Sequence, residues 1–210
     1  MSRAGRRLYL PVKRAVDVLV AGVGLLVSAP VMAVLAVAVR RDLGSPVLFR
    51  QVRPGRHGEP FELVKFRTMR TLGSADSVAN DGERLTPFGR WLRSTSLDEL
   101  PTLWNVLRGD MSLVGPRPLL MEYLERYTPV QARRHEVRPG VTGLAQVRGR
   151  NLLSWDEKFA ADVEYVDRVG PVMDARILVA TLTTVLRRQG ISAPDAPTMH
   201  LFTGGRQDAA

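Results

Sequence analysis

Cysteine is absent from the chain, which excludes disulfides and thiolate metal sites and leaves the redox compartment open. Histidine is scarce: His57, His135 and His200 stand far apart, without the spacing of zinc ligands. A zinc enzyme is therefore not expected. Acidic residues are outnumbered, 21 against 30 lysines and arginines, for a formal charge of +9. That excess predicts an anionic partner, whether nucleic acid, an anionic membrane face or a phosphorylated small molecule. Internal repeats are missing too. At 210 residues the chain suits one domain with a real core and is short for two.

Long apolar runs are rare, with one exception. From Val18 to Val39 the chain reads VLVAGVGLLVSAPVMAVLAVAV, twenty-two residues without a charge. At ~1.5 Å per residue such a helix just crosses a ~30 Å hydrocarbon layer. A signal peptide fits poorly, because its apolar region spans only ~7–15 residues and no A-x-A-like cleavage site is evident. A buried soluble helix is the weaker alternative. Pro30 lies near the middle, where it removes a helical hydrogen bond and crowds the carbonyl four residues earlier. Ser28 can bond a freed backbone carbonyl inside lipid and make a bend tolerable. Arg3, Arg6, Arg7, Lys13 and Arg14 precede the run, and Arg40, Arg41, Arg50, Arg53 and Arg56 follow it. A spanning helix favours asymmetric basic flanks, and these are equal. A crossing and a dip that returns to the same face are both open on these grounds.

After Arg41 the composition becomes that of a soluble domain. Pro46 to Val52 and Pro60 to Met69 read as strands of a hairpin around the turn PGRHG. Thr71 to Glu83 is small and polar and reads as a mobile loop. Thr86-Pro87 is a helix start, with a hydroxyl N-cap and proline at the first position; that helix ends near Arg93. Further helices are expected from Asp98 through Leu107, over Pro118 to Tyr127 and over Trp155 to Arg168. Val172 to Arg188 is amphipathic and can lie on the membrane surface or pack on the core, with packing favoured. From about Ala193 the chain reads as loosely ordered.

The densest chemistry lies in SLDELPTLWNVLRGDMSLVGPRP, Ser96 to Pro118. Pro101 has no N–H and fits only the first positions of a helix. Asp98 at the N-cap satisfies that constraint, and Asp98 then caps while Glu99 complements the dipole. The same residues support a second reading. A carboxylate at a helix N-terminus is held ionised, and such a terminus also receives phosphate. Two adjacent acids among arginines, beside a membrane, suit a divalent cation bridging carboxylate and diphosphate. Hard oxygen donors select Mg²⁺ or Mn²⁺ over zinc. GPRP holds Arg117 between two prolines, and its planar fork matches phosphate oxygens. A structural ion pair is the alternative for Arg117.

Six segments, in order, resemble the polyprenyl-phosphate phosphoglycosyl transferases of the monotopic, bacterial sugar transferase type in their minimal catalytic form. They are KRAVD (Lys13 to Asp17), the proline-broken apolar helix, FRQVRPGRHGEPFELVKFRTM (Phe49 to Met69), RSTSLDELPTLWNVLRGDMSLVGPRP (Arg93 to Pro118), RPGVTGLAQVRGRN (Arg138 to Asn151) and FAADVEYV (Phe159 to Val166). Each is weak alone; together, across roughly residues 12–190, they are specific. The resemblance implies a mainly α fold with a small β-hairpin. A basic arm and a re-entrant, kinked membrane helix (1–41), bent at Ser28 and Pro30, lead into a compact cytoplasmic α+β catalytic domain with interfacial amphipathic helices (42–190). A loose tail follows (191–210).

It also implies a ping-pong reaction on the cytoplasmic face of the bacterial inner membrane, the first membrane step of glycoconjugate assembly. Asp98 would attack the sugar-bearing phosphorus of a UDP-sugar and expel UMP. Polyprenyl (undecaprenyl) phosphate would then take the phosphosugar from Asp98, giving a polyprenyl diphosphate-sugar. Mg²⁺, or Mn²⁺, bound at Asp98 would neutralise the diphosphate, and Glu99 would assist the dyad. Lys65, Arg93, Arg117 and Arg150 are the expected phosphate or nucleotide contacts, followed by Arg138 and Arg148. Asp162 matches a family acid near the site, with a solvated helix position as its alternative. Two departures stand out. Ser28-Ala29-Pro30 replaces an adjacent Ser-Pro pair, and Leu144 and Arg148 stand where an aromatic and an asparagine are common.

Two rivals remain in view. A non-catalytic, membrane-anchored basic module binding anionic lipid or nucleic acid would satisfy the charge. It leaves the clustered Asp-Glu, PRP and RPG motifs unexplained, and no helix-turn-helix or RNA-recognition signature is present; nucleic acid is not an expected partner. Direct attack of polyprenyl phosphate on the UDP-sugar keeps the enzyme class and omits the covalent step.

Overall fold

The computed structural model describes residues 3–70, 84–149, 152–187 and 201–204. The expected loop over Thr71 to Glu83, Arg150, the Arg188 end of the last helix and most of the 191–210 tail lie outside them.

Helix α1 (Arg3–Leu43) continues through Pro11 and Pro30. Its portion Leu8–Leu43 is long and apolar enough to cross a membrane, by length and composition. It outruns the apolar stretch because polar residues on its flanks find partners in the rest of the chain. Asp17 accepts from Ser112 Oγ at 2.7 Å and from the Leu113 N–H at 3.1 Å. Lys13 Nζ lies 2.6 Å from Asp174, and Arg14 donates to the carbonyls of Val106 and Leu107. Beyond Pro30, Leu35 and Val39 are buried with Phe66 and Leu92, and Asp42 accepts from Thr86 Oγ1 at 2.7 Å. Both ends of the helix therefore dock on one body. Between them Val23, Leu26, Val27, Val31 and Val34 are exposed, Leu26 by 78%. Ser28 Oγ donates to the Gly24 carbonyl at 2.6 Å, not to the Leu26 carbonyl that Pro30 leaves without its donor.

The hairpin forms, with its first strand two residues later and its second three residues shorter than expected. Strand β1 (Leu48–Pro54) pairs antiparallel with β2 (Pro60–Phe66), Leu48 opposite Phe66 and Pro54 opposite Pro60. His57 and Gly58, both at positive φ, turn the chain between them. Helix α2 (Pro87–Ser94) starts where its Thr-Pro pair predicts, with the Thr86 hydroxyl accepting from the Gly89 N–H.

The next stretch differs from expectation. Ser96, left-handed at φ 57°, precedes a 3-10 turn over Leu97–Thr102 that leads into α3 (Leu103–Arg108). Asp98 lies inside that turn rather than capping a regular helix: the Glu99 N–H donates to the Ser96 carbonyl at 3.2 Å, the three-residue spacing of a 3-10 turn that begins before Asp98. Over Pro118 to Tyr127 the expected helix shrinks to a 3-10 turn, Met121–Arg126, because Leu120 is still extended.

Strands β3 (Ser112–Val114) and β4 (Gly140–Thr142) form a short parallel pair that the sequence did not announce. The backbones meet closely there: a Cβ on Gly140 would lie 2.1 Å from the Gly115 nitrogen. Short helices α4 (Pro129–Ala132) and α5 (Leu144–Arg148) follow. Helix α6 (Trp155–Arg168) matches its expected span and opens on a capping box between Ser154 and Glu157. Helix α7 (Pro171–Arg187) buries Ile177 but exposes Val172, Val179 and Leu182, so one face packs on the core and another does not. The main core joins Val114, Leu144, Tyr165, Val166, Val169 and Ile177. Each such fully buried apolar side chain contributes about 1.5–3 kcal/mol.

Candidate active site

Three elements meet at the site: β2, α2 and the 3-10 turn. Asn105, fully buried on α3, accepts from the Val64 N–H at 3.0 Å and donates to the Glu62 carbonyl at 2.7 Å. Thr102 donates to the Val64 carbonyl at 2.9 Å. These bonds fix Lys65, the next residue of β2, against the turn that carries Asp98. Helix α2 brings Arg93, whose Nε donates to Thr68 Oγ1 at 3.0 Å.

Asp98 is only 4% exposed. Burial pushes its carboxyl up to about 6, Glu99 pushes the same way, and Lys65, Arg93 and Arg117 pull against them. Among the described residues no hydrogen bond adds to these influences. At pH 7 the group is therefore mostly ionised yet poorly solvated, which suits an oxygen nucleophile. Burial lowers Lys65 to about 8, with Arg93 and Arg117 lowering it further and Asp98 and Glu99 opposing. The Lys65 ammonium also lies 5.3 Å from the Phe49 ring centroid. Glu99 pairs with Arg117 at 2.6 Å, and its charge raises the Arg117 pKa. Although protein crowds Arg117, 47% of its side chain remains open to solvent, enough to receive a ligand.

Arg53 belongs to this neighbourhood and was not singled out from the sequence. Burial, then the like charge of Arg117, brings it down to about 10. Its buried Nε has no hydrogen-bond partner among the described residues. Two guanidiniums held near one another against repulsion form an arrangement that an anion relieves. Strand alternation carried the signal: Arg50 and Val52 are exposed, while Gln51 and Arg53 turn inward.

The other expected residues lie elsewhere. Asp162 is buried, not solvated, and 2.7 Å from Arg134 Nη2. Burial raises its carboxyl and Arg134 opposes that rise. Arg134 also donates to the Tyr127 hydroxyl at 3.0 Å and to the Arg117 carbonyl at 2.7 Å, so this pair holds the segment that presents Arg117. Arg138 donates to the Gly109 carbonyl at 2.9 Å and lines a separate cavity. Arg148 pairs with Glu164 at 2.6 Å on the surface. Neither is brought to Asp98, and Arg150 is outside the described residues.

Among the described residues no group of three or more His, Cys, Asp or Glu stands together. The donor set at hand is Asp98 with Glu99, two hard carboxylates beside a cluster of cations. That set fits Mg²⁺, which commonly takes one or two carboxylates and completes its shell with substrate phosphate and water.

Residues 8–188 match the family model described as bacterial sugar transferase. The uncharacterized sugar transferase EpsL of Bacillus subtilis is 53% identical over 196 residues, 91% of this chain and 96% of that protein. A UDP-glucose:undecaprenyl-phosphate glucose-1-phosphate transferase of Caulobacter vibrioides is 40% identical over 185 residues, 83% of this chain and 69% of that one. The undecaprenyl-phosphate galactose phosphotransferase of Salmonella typhimurium is also 40% identical, over 85% of this chain but 41% of its own length.

Proposed function

Because the chain belongs to the bacterial sugar transferase family, we propose that it moves a phosphosugar from a UDP-sugar to a polyprenyl phosphate such as undecaprenyl phosphate, through a covalent phosphosugar–Asp98 intermediate. Relatives named for transferring glucose phosphate or galactose phosphate to undecaprenyl phosphate support the general reaction. The observation that carries the covalent step is Asp98 itself: buried, near neutral in pKa and facing cations.

One Asp98 oxygen attacks the sugar-bearing phosphorus. The bond from that phosphorus to the UMP oxygen breaks, and UMP leaves with the electron pair. Lys65, Arg93, Arg117 and Arg53 stabilise charge on the phosphoryl and leaving oxygens. Glu99 orients Arg117 through their ion pair. An oxygen of the lipid phosphate then attacks the same phosphorus, the Asp98–phosphorus bond breaks, and the carboxylate is restored. Asp98, with Glu99 beside it, would hold Mg²⁺ or Mn²⁺, which would neutralise diphosphate charge. Splitting the transfer lets a soluble and a lipid substrate use one site in turn.

The same proposal makes α1 a dip from the cytoplasmic face of the inner membrane, not a crossing. Lys13, Arg14 and Asp17 before the exposed apolar stretch, and Asp42 after it, bind one body. A straight crossing would hold those two groups ~30 Å apart on opposite sides of the hydrocarbon. An interfacial site also suits an acceptor whose tail stays in lipid.

The test is exchange. Purified protein is incubated with UDP-sugar, Mg²⁺ and labelled UMP, without lipid acceptor. Label entering UDP-sugar requires the covalent intermediate. Transfer to lipid without any such exchange would instead support direct attack, and neither activity would leave a binding module.

A further inference from the structure

Motifs that the transfer reaction leaves unused converge on one cavity of about 50 Å³. KRAVD contributes Lys13 and Arg14, the hairpin turn contributes Arg56, the RPG segment contributes Arg138, and Val114 and Tyr165 form part of the wall. These residues come from five separate stretches of sequence.

The charges there are unevenly balanced: Lys13, Arg14, Arg56 and Arg138 line the cavity against Asp17 and Glu136, and the Glu136 carboxylate is already paired with Arg133 at 3.1 Å. Lys13 faces Asp174 at 2.6 Å and Asp17 at 4.0 Å. The three arginines instead donate to main-chain carbonyls: Arg14 to Val106 and Leu107, Arg56 to Glu136, and Arg138 to Gly109. Carbonyls are dipoles and cancel no charge. Each guanidinium has five N–H groups, so these bonds leave further donors on all three. Planar forks with donors to spare are suited to phosphate oxygens. One water needs ~10–15 Å³ by the same measure, so the cavity has room for a tetrahedral anion.

The position says where such an anion comes from. Leu10, Lys13, Arg14 and Asp17 line the cavity from one face of α1, spaced three, four and seven residues on. Leu8, Val12, Val16 and Leu19, on the other side of the same segment, are exposed. A basic and apolar helix of this kind lies in the membrane interface at the depth of the headgroups. We propose that this cavity binds the phosphate of an anionic membrane lipid headgroup, holding the domain at a fixed depth and angle beside its lipid substrate.

The test needs no sugar donor, so its outcome is independent of the transfer chemistry. The full chain in zwitterionic micelles is titrated with dioctanoyl phosphatidylglycerol, and bound lipid per chain is counted by native mass spectrometry. Saturation at one lipid is expected, with inorganic phosphate competing only at about hundredfold higher concentration. Arg56→Gln should weaken binding at least about fivefold, and Arg56→Gln/Arg138→Gln more. Arg50→Gln, an exposed β1 arginine paired with Glu62, should leave it unchanged. Competition by inorganic phosphate at equal concentration would overturn the lipid assignment in favour of a soluble phosphate. Non-saturating uptake, equal uptake of dioctanoyl phosphatidylcholine, or equal losses in Arg50→Gln and Arg56→Gln would overturn the site itself.

Discussion

Asp98 and Asp162 are both buried and both lie near arginines, yet their surroundings differ. Asp162 is closed: Arg134 binds it, and Tyr127 and a main-chain carbonyl take other donors of the same guanidinium. Asp98 is open: among the described residues cations act on it by charge and no hydrogen bond contributes, and burial raises its carboxyl to about 6. A closed pair gives shape. An open carboxylate costs stability and keeps a reactive oxygen available. Such trade-offs are common where function needs a destabilised group.

Replacing the two aspartates should separate these roles most sharply. Asp98→Asn should cut lipid-linked product by at least about 10⁴-fold while raising Tm by a few degrees. The sign follows from linkage. The folded value near 6 lies above the ordinary 3.8, so folding favours the protonated form. That contribution is full below about pH 4 and is lost as pH rises through about 6, so removing the charge helps at neutral pH. Asp162→Asn should do the reverse, costing about 3–5 kcal/mol by stranding Arg134 and lowering Tm by roughly 10 °C. Thermal melts and turnover of both variants check the pair. Loss of stability in Asp98→Asn would erase the distinction.

A double replacement, Arg134→Met/Asp162→Leu, should restore melting to near the parent, since well-packed apolar residues often replace a buried ion pair without loss. It should still lower kcat/KM about tenfold or more, because the Arg117 carbonyl loses its donor and the guanidinium its fixed position. Next comes pH. The kcat/KM profile should rise through about 6 as Asp98 ionises and fall through about 8 as Lys65 loses its proton. These limbs belong to the interacting site as a whole. Smallest of all, Arg148→Gln should change stability by under about 1 kcal/mol and rate by less than about twofold, as an exposed ion pair predicts.

Local signals were legible where local physics decides. The PGRHG turn, the Thr86-Pro87 start, the α6 span and the apolar run of α1 all announce themselves through turn chemistry, capping or period. The β3–β4 pair did not, because three-residue strands are too short to show alternation. The 3-10 geometry around Asp98 was also hidden: Pro101 signalled a constraint but not which turn would satisfy it. In the site, Asp98, Glu99, Lys65, Arg93 and Arg117 lie in motifs and meet in space. Arg53 and Arg134 matter through neighbours 64 and 28 positions away, Arg117 and Asp162, and no local pattern reports such pairings. Arg138 shows the converse, a motif arginine that folding directs to another cavity.

The central claim is a bond, and mass spectrometry can see it. Protein incubated with a UDP-sugar it turns over, without lipid acceptor, is quenched, digested and sequenced by tandem fragmentation. The account predicts a phosphosugar mass on the peptide containing Asp98, localised to that residue, discharged by polyprenyl phosphate and missing in Asp98→Asn. Full turnover by a protein that never carries the adduct, or an adduct that persists in Asp98→Asn, would contradict it.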